Sequence, residues 1–100
     1  AGTTCFVCVT DRVAFEVLAR LRQWSVDVPG TVSVTGFDAV QAYMPSNPPT
    51  LTSVDPLWIE IGRAAMSLAM RRLTQPSAPQ MTLTVGCRFV EGETLGPPGA

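Results

Sequence analysis

One hundred residues allow one domain at most, and 46% of them are hydrophobic against only 15% charged. The formal net charge of −1, with all seven cations arginine, supplies no field for phosphate backbones, so direct nucleic-acid binding by this segment is not expected. With no histidine, the chain lacks a His-based general base, a triad and the common zinc sites.

Residues 4–9 (Thr-Cys-Phe-Val-Cys-Val) form a strand-like run that ends in Thr10-Asp11. The run is too short for a membrane span or a signal-peptide core, and no cationic segment precedes it. Cys5 and Cys8 have C-x-x-C spacing, but positions i and i+3 of a strand point to opposite faces, so they cannot pinch a metal. Together with Cys87 they are expected to be small buried apolar residues of a cytoplasmic protein.

Helical periodicity follows over 12–25, and Asp11 is expected to cap the first turn. Val13, Phe15, Val17, Leu18, Leu21 and Trp24 cover more than one stripe, which predicts two packing partners for this helix. After a loop ending in Pro29-Gly30, residues 32–36 (Val-Ser-Val-Thr-Gly) predict a second strand, closed by Phe37-Asp38. Strand, helix, strand makes a βαβ unit with a parallel pair. Asp11 and Asp38 should then emerge at the same end, roughly 5–10 Å apart for strands about 4.8 Å apart. The C-terminal end of a parallel strand is where ligands usually sit.

Residues 39–49 should be irregular, since Pro45, Pro48 and Pro49 oppose a helix or central strand. Leu51 to Val54 predicts a third strand. Asp55-Pro56 reads as an N-cap and first helical position for a helix over 56–74. Its apolar face would carry Leu57, Trp58, Ile61, Ala65, Leu68 and Ala69, with Arg71-Arg72 near its C-terminus. Met81 to Val90 predicts the last strand, and 92–100 a tail with too few apolar residues to pack firmly.

Residues 9–14, 28–38, 49–54, Glu60-Ile-Gly-Arg63 and 88–98 resemble, in order and spacing, the sensor domain of lac-repressor-type (LacI/GalR) transcription regulators. The resemblance implies an α/β fold, a parallel-sheet lobe of the periplasmic binding protein-like I type, present as a partial domain. It places about 1–50 and 81–91 in the second lobe, about 51–75 crossing to the first, and 92–100 in the tail. It also implies a small-molecule effector, a sugar or related metabolite, and DNA contact only through a separate helix-turn-helix.

By that resemblance Asp38 hydrogen-bonds ligand hydroxyls, Thr10 stands where relatives have a ligand-gripping Asn, and Asp11 matches the next residue of that pair. Trp58 falls where relatives line the cleft, and Pro56 where many carry a ligand-binding Gln. Phe15, Leu18, Arg22 and Tyr43 match the homodimer contact. The alternatives are a module serving mainly dimerisation, or a fragment of a periplasmic-type sugar-binding protein. No cofactor, metal or catalytic residue is expected. Asp11 and Asp38 are a conceivable acid–base pair, but nothing nearby would tune them apart.

Overall fold

Short β-branched and aromatic runs take extended backbone where a neighbour completes their hydrogen bonds, and two such runs set the frame here. A computed structural model describes residues 2–44 and 46–98. The part assigned to Pro45, and the last two tail residues, lie outside the described residues. Strand β1 (Cys5–Val7) pairs parallel with β2 (Ser33–Thr35), in register Cys5–Ser33, Phe6–Val34 and Val7–Thr35. The expected parallel βαβ unit is therefore present, with helix α1 (Asp11–Gln23) as its crossover.

The cap of α1 differs from the expectation. Thr10, in extended conformation, is the N-cap, and its hydroxyl accepts from the Val13 amide at 3.3 Å. Ala14 and Leu21 of α1 pack into a buried cluster with Val32, Val34 and Leu51, and Phe15, Val17 and Leu18 lie partly buried against it. Cys8 joins that edge of the core. Burial pushes its thiol above the ordinary value, and the neighbouring Cys5 adds to the shift. Cys87, expected to be buried, is exposed; it lies in a stretch with no packing layer over it.

β3 (Ser53–Asp55) follows a single 3-10 turn at Val40–Ala42. It pairs with β4 (Arg88–Val90), and Thr52 bridges parallel to Thr35. The last strand is thus far shorter than 81–90. Residues 81–87 have strand-forming side chains but no neighbouring strand among the described residues, and propensity alone does not make a ladder.

The chain divides into two compact units. The first holds residues up to Asp55 and from Phe89 onward; the second runs Pro56–Arg88. In the second, α2 (Trp58–Thr74) starts two residues later than expected, after Leu57 in left-handed conformation (φ 61). Asp55 does not cap it. Its carboxylate instead accepts from the Tyr43 hydroxyl, at 2.9 Å to each oxygen, at the end of β3. No residue of α2 is buried, and Trp58, Ile61, Met66 and Met70 remain exposed.

The tail overturns its expectation. Thr94 is 1% exposed, and its hydroxyl donates to the Val34 carbonyl (2.7 Å) while accepting from the Thr52 amide (3.0 Å). The Val34 amide donates to the Thr94 carbonyl at 2.9 Å, and Gly96 exchanges bonds with the Ser33 hydroxyl. Counting apolar residues misses docking that runs through hydroxyls and backbone. Thr94→Val should therefore destabilise the protein by about 1–3 kcal/mol, because it removes two buried bonds at constant shape. Urea denaturation checks this, and an unchanged midpoint would show that the tail is held otherwise.

Candidate functional site

The C-terminal ends of β2 and β3 meet at the turn over residues 36–40. Four of its amides donate to residues 52–54 or to Asp11. Gly36 N donates to Thr52 O (3.0 Å) and Asp38 N to Val54 O (2.9 Å). Ala39 N donates to Ser53 Oγ (3.1 Å) and Val40 N to Asp11 Oδ2 (2.7 Å). These bonds hold two consecutive non-glycine residues at positive φ, Asp38 at 113° and Ala39 at 51°.

Asp11 and Asp38 come together at one end of the sheet, as the βαβ reading predicts, but in different settings. Asp38 is half-buried at the turn. Asp11 is 1% exposed. Its Oδ1 accepts from Ser53 Oγ at 2.6 Å, its Oδ2 from Val40, and its own amide donates to Phe37 O at 2.9 Å. Thr10, half-buried, caps α1 through its oxygen lone pair, which leaves the hydroxyl proton able to donate. Trp58 begins α2 in the second unit and is 49% exposed. Pro56 is buried and offers no side-chain hydrogen bond.

Phe15, Leu18 and Arg22 line one open groove of about 880 Å³ together with Val26, Val28 and Pro49. Tyr43 is not among the lining residues; it is 42% exposed and its hydroxyl is held by Asp55. Sequence reasoning missed Ser53 and Asp55. Both are polar residues at buried positions of a strand, 2% and 1% exposed, and a polar residue in phase with the core-facing Leu51 was the available signal for Ser53. Among the described residues no group of three or more His, Cys, Asp or Glu is arranged to hold a metal, and no helix is long and apolar enough to cross a membrane.

A carboxylate can accept and a hydroxyl can donate hydrogen bonds, and the C-terminal end of parallel strands is where ligands of open α/β sheets usually sit. The model of the periplasmic binding protein-like domain family matches residues 3–95. The chain belongs to that family. Within it, the chain is similar to LacI-type regulators and represents part of one such domain. It is 31% identical over 90 residues to the HTH-type transcriptional regulator YvdE of Bacillus subtilis, covering 90% of this chain and 27% of that protein. It is also 31% identical over 97 residues to the HTH-type transcriptional regulator MalR of Streptomyces coelicolor, covering 96% of this chain and 28% of that one. The chain thus spans little more than a quarter of these relatives.

Among solved structures, a LacI family transcriptional regulator from Enterococcus faecium with bound ribose superposes with a TM-score of 0.82 at 21% identity, over 97% of this chain and 36% of that one. The likeness confirms the periplasmic binding protein-like fold.

Proposed function

We propose that this chain is the small-molecule-sensing part of a LacI-type transcription regulator, with Asp38 accepting hydrogen bonds from hydroxyls of a sugar or related metabolite. One observation carries this reading. The amides of residues 38–40 are all bonded inward beyond the C-terminal end of a parallel strand, which holds the half-buried Asp38 at the end of the sheet where ligands usually sit. Thr10, with a donor to spare, joins it from the neighbouring strand end. The bound ribose of the Enterococcus faecium regulator supports a sugar as the effector class.

The same reading has the regulator working as a cytoplasmic homodimer that meets DNA through a helix-turn-helix outside this segment, as the names of the HTH-type relatives imply. The groove beside Phe15, Leu18 and Arg22 supports a subunit contact there, with Tyr43 contributing its ring. The reading also assigns about 1–50 and 81–91 to one lobe and about 51–75 to the other, whereas the compact units divide at Asp55 and Arg88, so that 51–55 lies in the first unit and 81–88 in the second.

Losing a carboxylate that accepts charge-assisted bonds costs about 1.5–3 kcal/mol, so Asp38→Ala in the full-length regulator should weaken its sugar roughly 10- to 150-fold. Calorimetric titration with a panel of pentoses, hexoses and disaccharides measures this, with operator binding followed alongside. Unchanged affinity would eliminate Asp38 as a contact. Lost operator binding at unchanged affinity would favour a role mainly in dimerisation.

A further inference from the structure

We propose that Asp11 and Ser53 are positioning residues. Together they hold the strained 38–40 turn in the shape that presents Asp38, and Asp11 itself does not touch the ligand. This rests on the reading of Asp38 as the ligand contact.

Asp11 brackets the turn from both ends. Its amide donates to Phe37 O before the turn, and its Oδ2 accepts from Val40 N after it, at 2.9 and 2.7 Å. Its Oδ1 accepts from Ser53 Oγ at 2.6 Å, and that same oxygen accepts from Ala39 N at 3.1 Å. The chain of donors is ordered. Ala39 donates to Ser53, Ser53 donates to Asp11, and Asp11 also receives Val40. A carboxylate is the side chain that accepts at both oxygens, and such charge-assisted bonds are the short ones.

The residues held this way are the ones that resist their conformation. Asp38 and Ala39 both lie at positive φ, which costs a side-chain-bearing residue of order 1–3 kcal/mol each. Their geometry persists only where the surroundings over-determine it, and the Asp11–Ser53 pair does so. The rest of the local design is consistent. Thr10 takes the capping role, which leaves the Asp11 carboxylate available for the turn. Gly36 provides the space, because a Cβ there would collide with Asp11 Oδ1. Asp11, at 1% exposed, has no surface to offer a ligand.

Amide hydrogen exchange on the full-length regulator without ligand tests the positioning directly. Asp11→Ala and Ser53→Ala should each speed exchange at Ala39, and Asp11→Ala also at Val40, by about 10- to 100-fold. The amides of Leu18 and Leu21, inside α1, should keep their protection. Asp11→Asn, whose carbonyl can still accept from Val40, should restore most protection at Val40 and little at Ala39. Unchanged exchange at 39–40 overturns the proposal, as does an equal rise across α1, which would mark general loosening.

A second arm uses ribose as the probe sugar and the cycle of Asp11→Asn with Asp38→Ala. Positioning predicts that Asp11→Asn lowers affinity in the wild type and has no further effect once Asp38 is gone. Additive losses would show that Asp11 acts on the ligand independently, and would overturn the proposal. Altered exchange with unchanged affinity in Asp38→Ala would sink the ligand reading of Asp38 and leave the anchoring of the turn standing.

Discussion

Gly36→Ala should destabilise the protein by about 3–5 kcal/mol. Gly36 does not have positive φ, so any residue could adopt its backbone; glycine is needed there for room. A Cβ would overlap Asp11 Oδ1 and lie 3.0 Å from Leu51 Cδ2 and 3.1 Å from Asp11 Cα. The Asp11 backbone cannot retreat, because its amide is bonded to Phe37 O. The carboxylate must leave instead, giving up its bonds to Ser53 and Val40, each worth about 1.5–3 kcal/mol for a charged acceptor. Overpacking against Leu51 adds about 1–3 kcal/mol, and partial relaxation keeps the total below the plain sum. Urea denaturation with an unchanged m-value would report the loss as a shift of midpoint. A change under about 1 kcal/mol would mean that the pocket around Asp11 is looser than its distances indicate.

Leu51→Ala should cost about 3–5 kcal/mol, the upper part of the usual range for such truncations. Leu51 is 2% exposed and sits in the cluster with Ala14, Leu21, Val32 and Val34. Whether a cavity collapses decides where in the range a site falls, and this one is braced. Its amide donates to Gln41 Oε1 at 2.7 Å. The tail backbone crosses so closely that a Cβ on Gly92 would stand 2.5 Å from the Leu51 carbonyl carbon. With the backbone pinned on two sides, the neighbours cannot close over a missing isopropyl group. For a domain this size each kcal/mol moves Tm by about 4–8 °C, so a drop of at least about 12 °C is expected by calorimetry. A drop under about 5 °C would show that the cluster repacks.

Much of the fold was legible because its signals are local. The apolar run before Thr10, the helical period after it and the second run before Gly36 define the parallel βαβ unit, and strand-end geometry alone brings Asp11 near Asp38. What was not legible depends on partners distant in sequence. Thr10 and Asp11 both satisfy the rule for capping, and the choice is made by Ser53, 42 residues away, which claims the aspartate. Asp55-Pro56 is a sound local helix start, yet Tyr43 draws Asp55 into the sheet and the helix begins later. The tail was misread for a related reason. Its anchor is one threonine whose value lies in two bonds to β2 and Thr52, which no hydropathy pattern records. At 81–87 the side chains favour extended structure, but a strand also requires a neighbour.

The docked tail also settles what becomes of the lateral border of β2. One side of that strand is closed by β1, through bonds that reach Thr4 O and the Cys8 amide. On the other side Thr94 takes both the amide and the carbonyl of Val34, and the Thr52 and Val54 carbonyls accept from Gly36 and Asp38. An uncovered row of N–H and C=O groups on this strand would be a template for a second chain to add to. The residues after Gly92 therefore act as an edge guard, and the segment least able to pack by hydrophobicity keeps the central strand from recruiting another molecule.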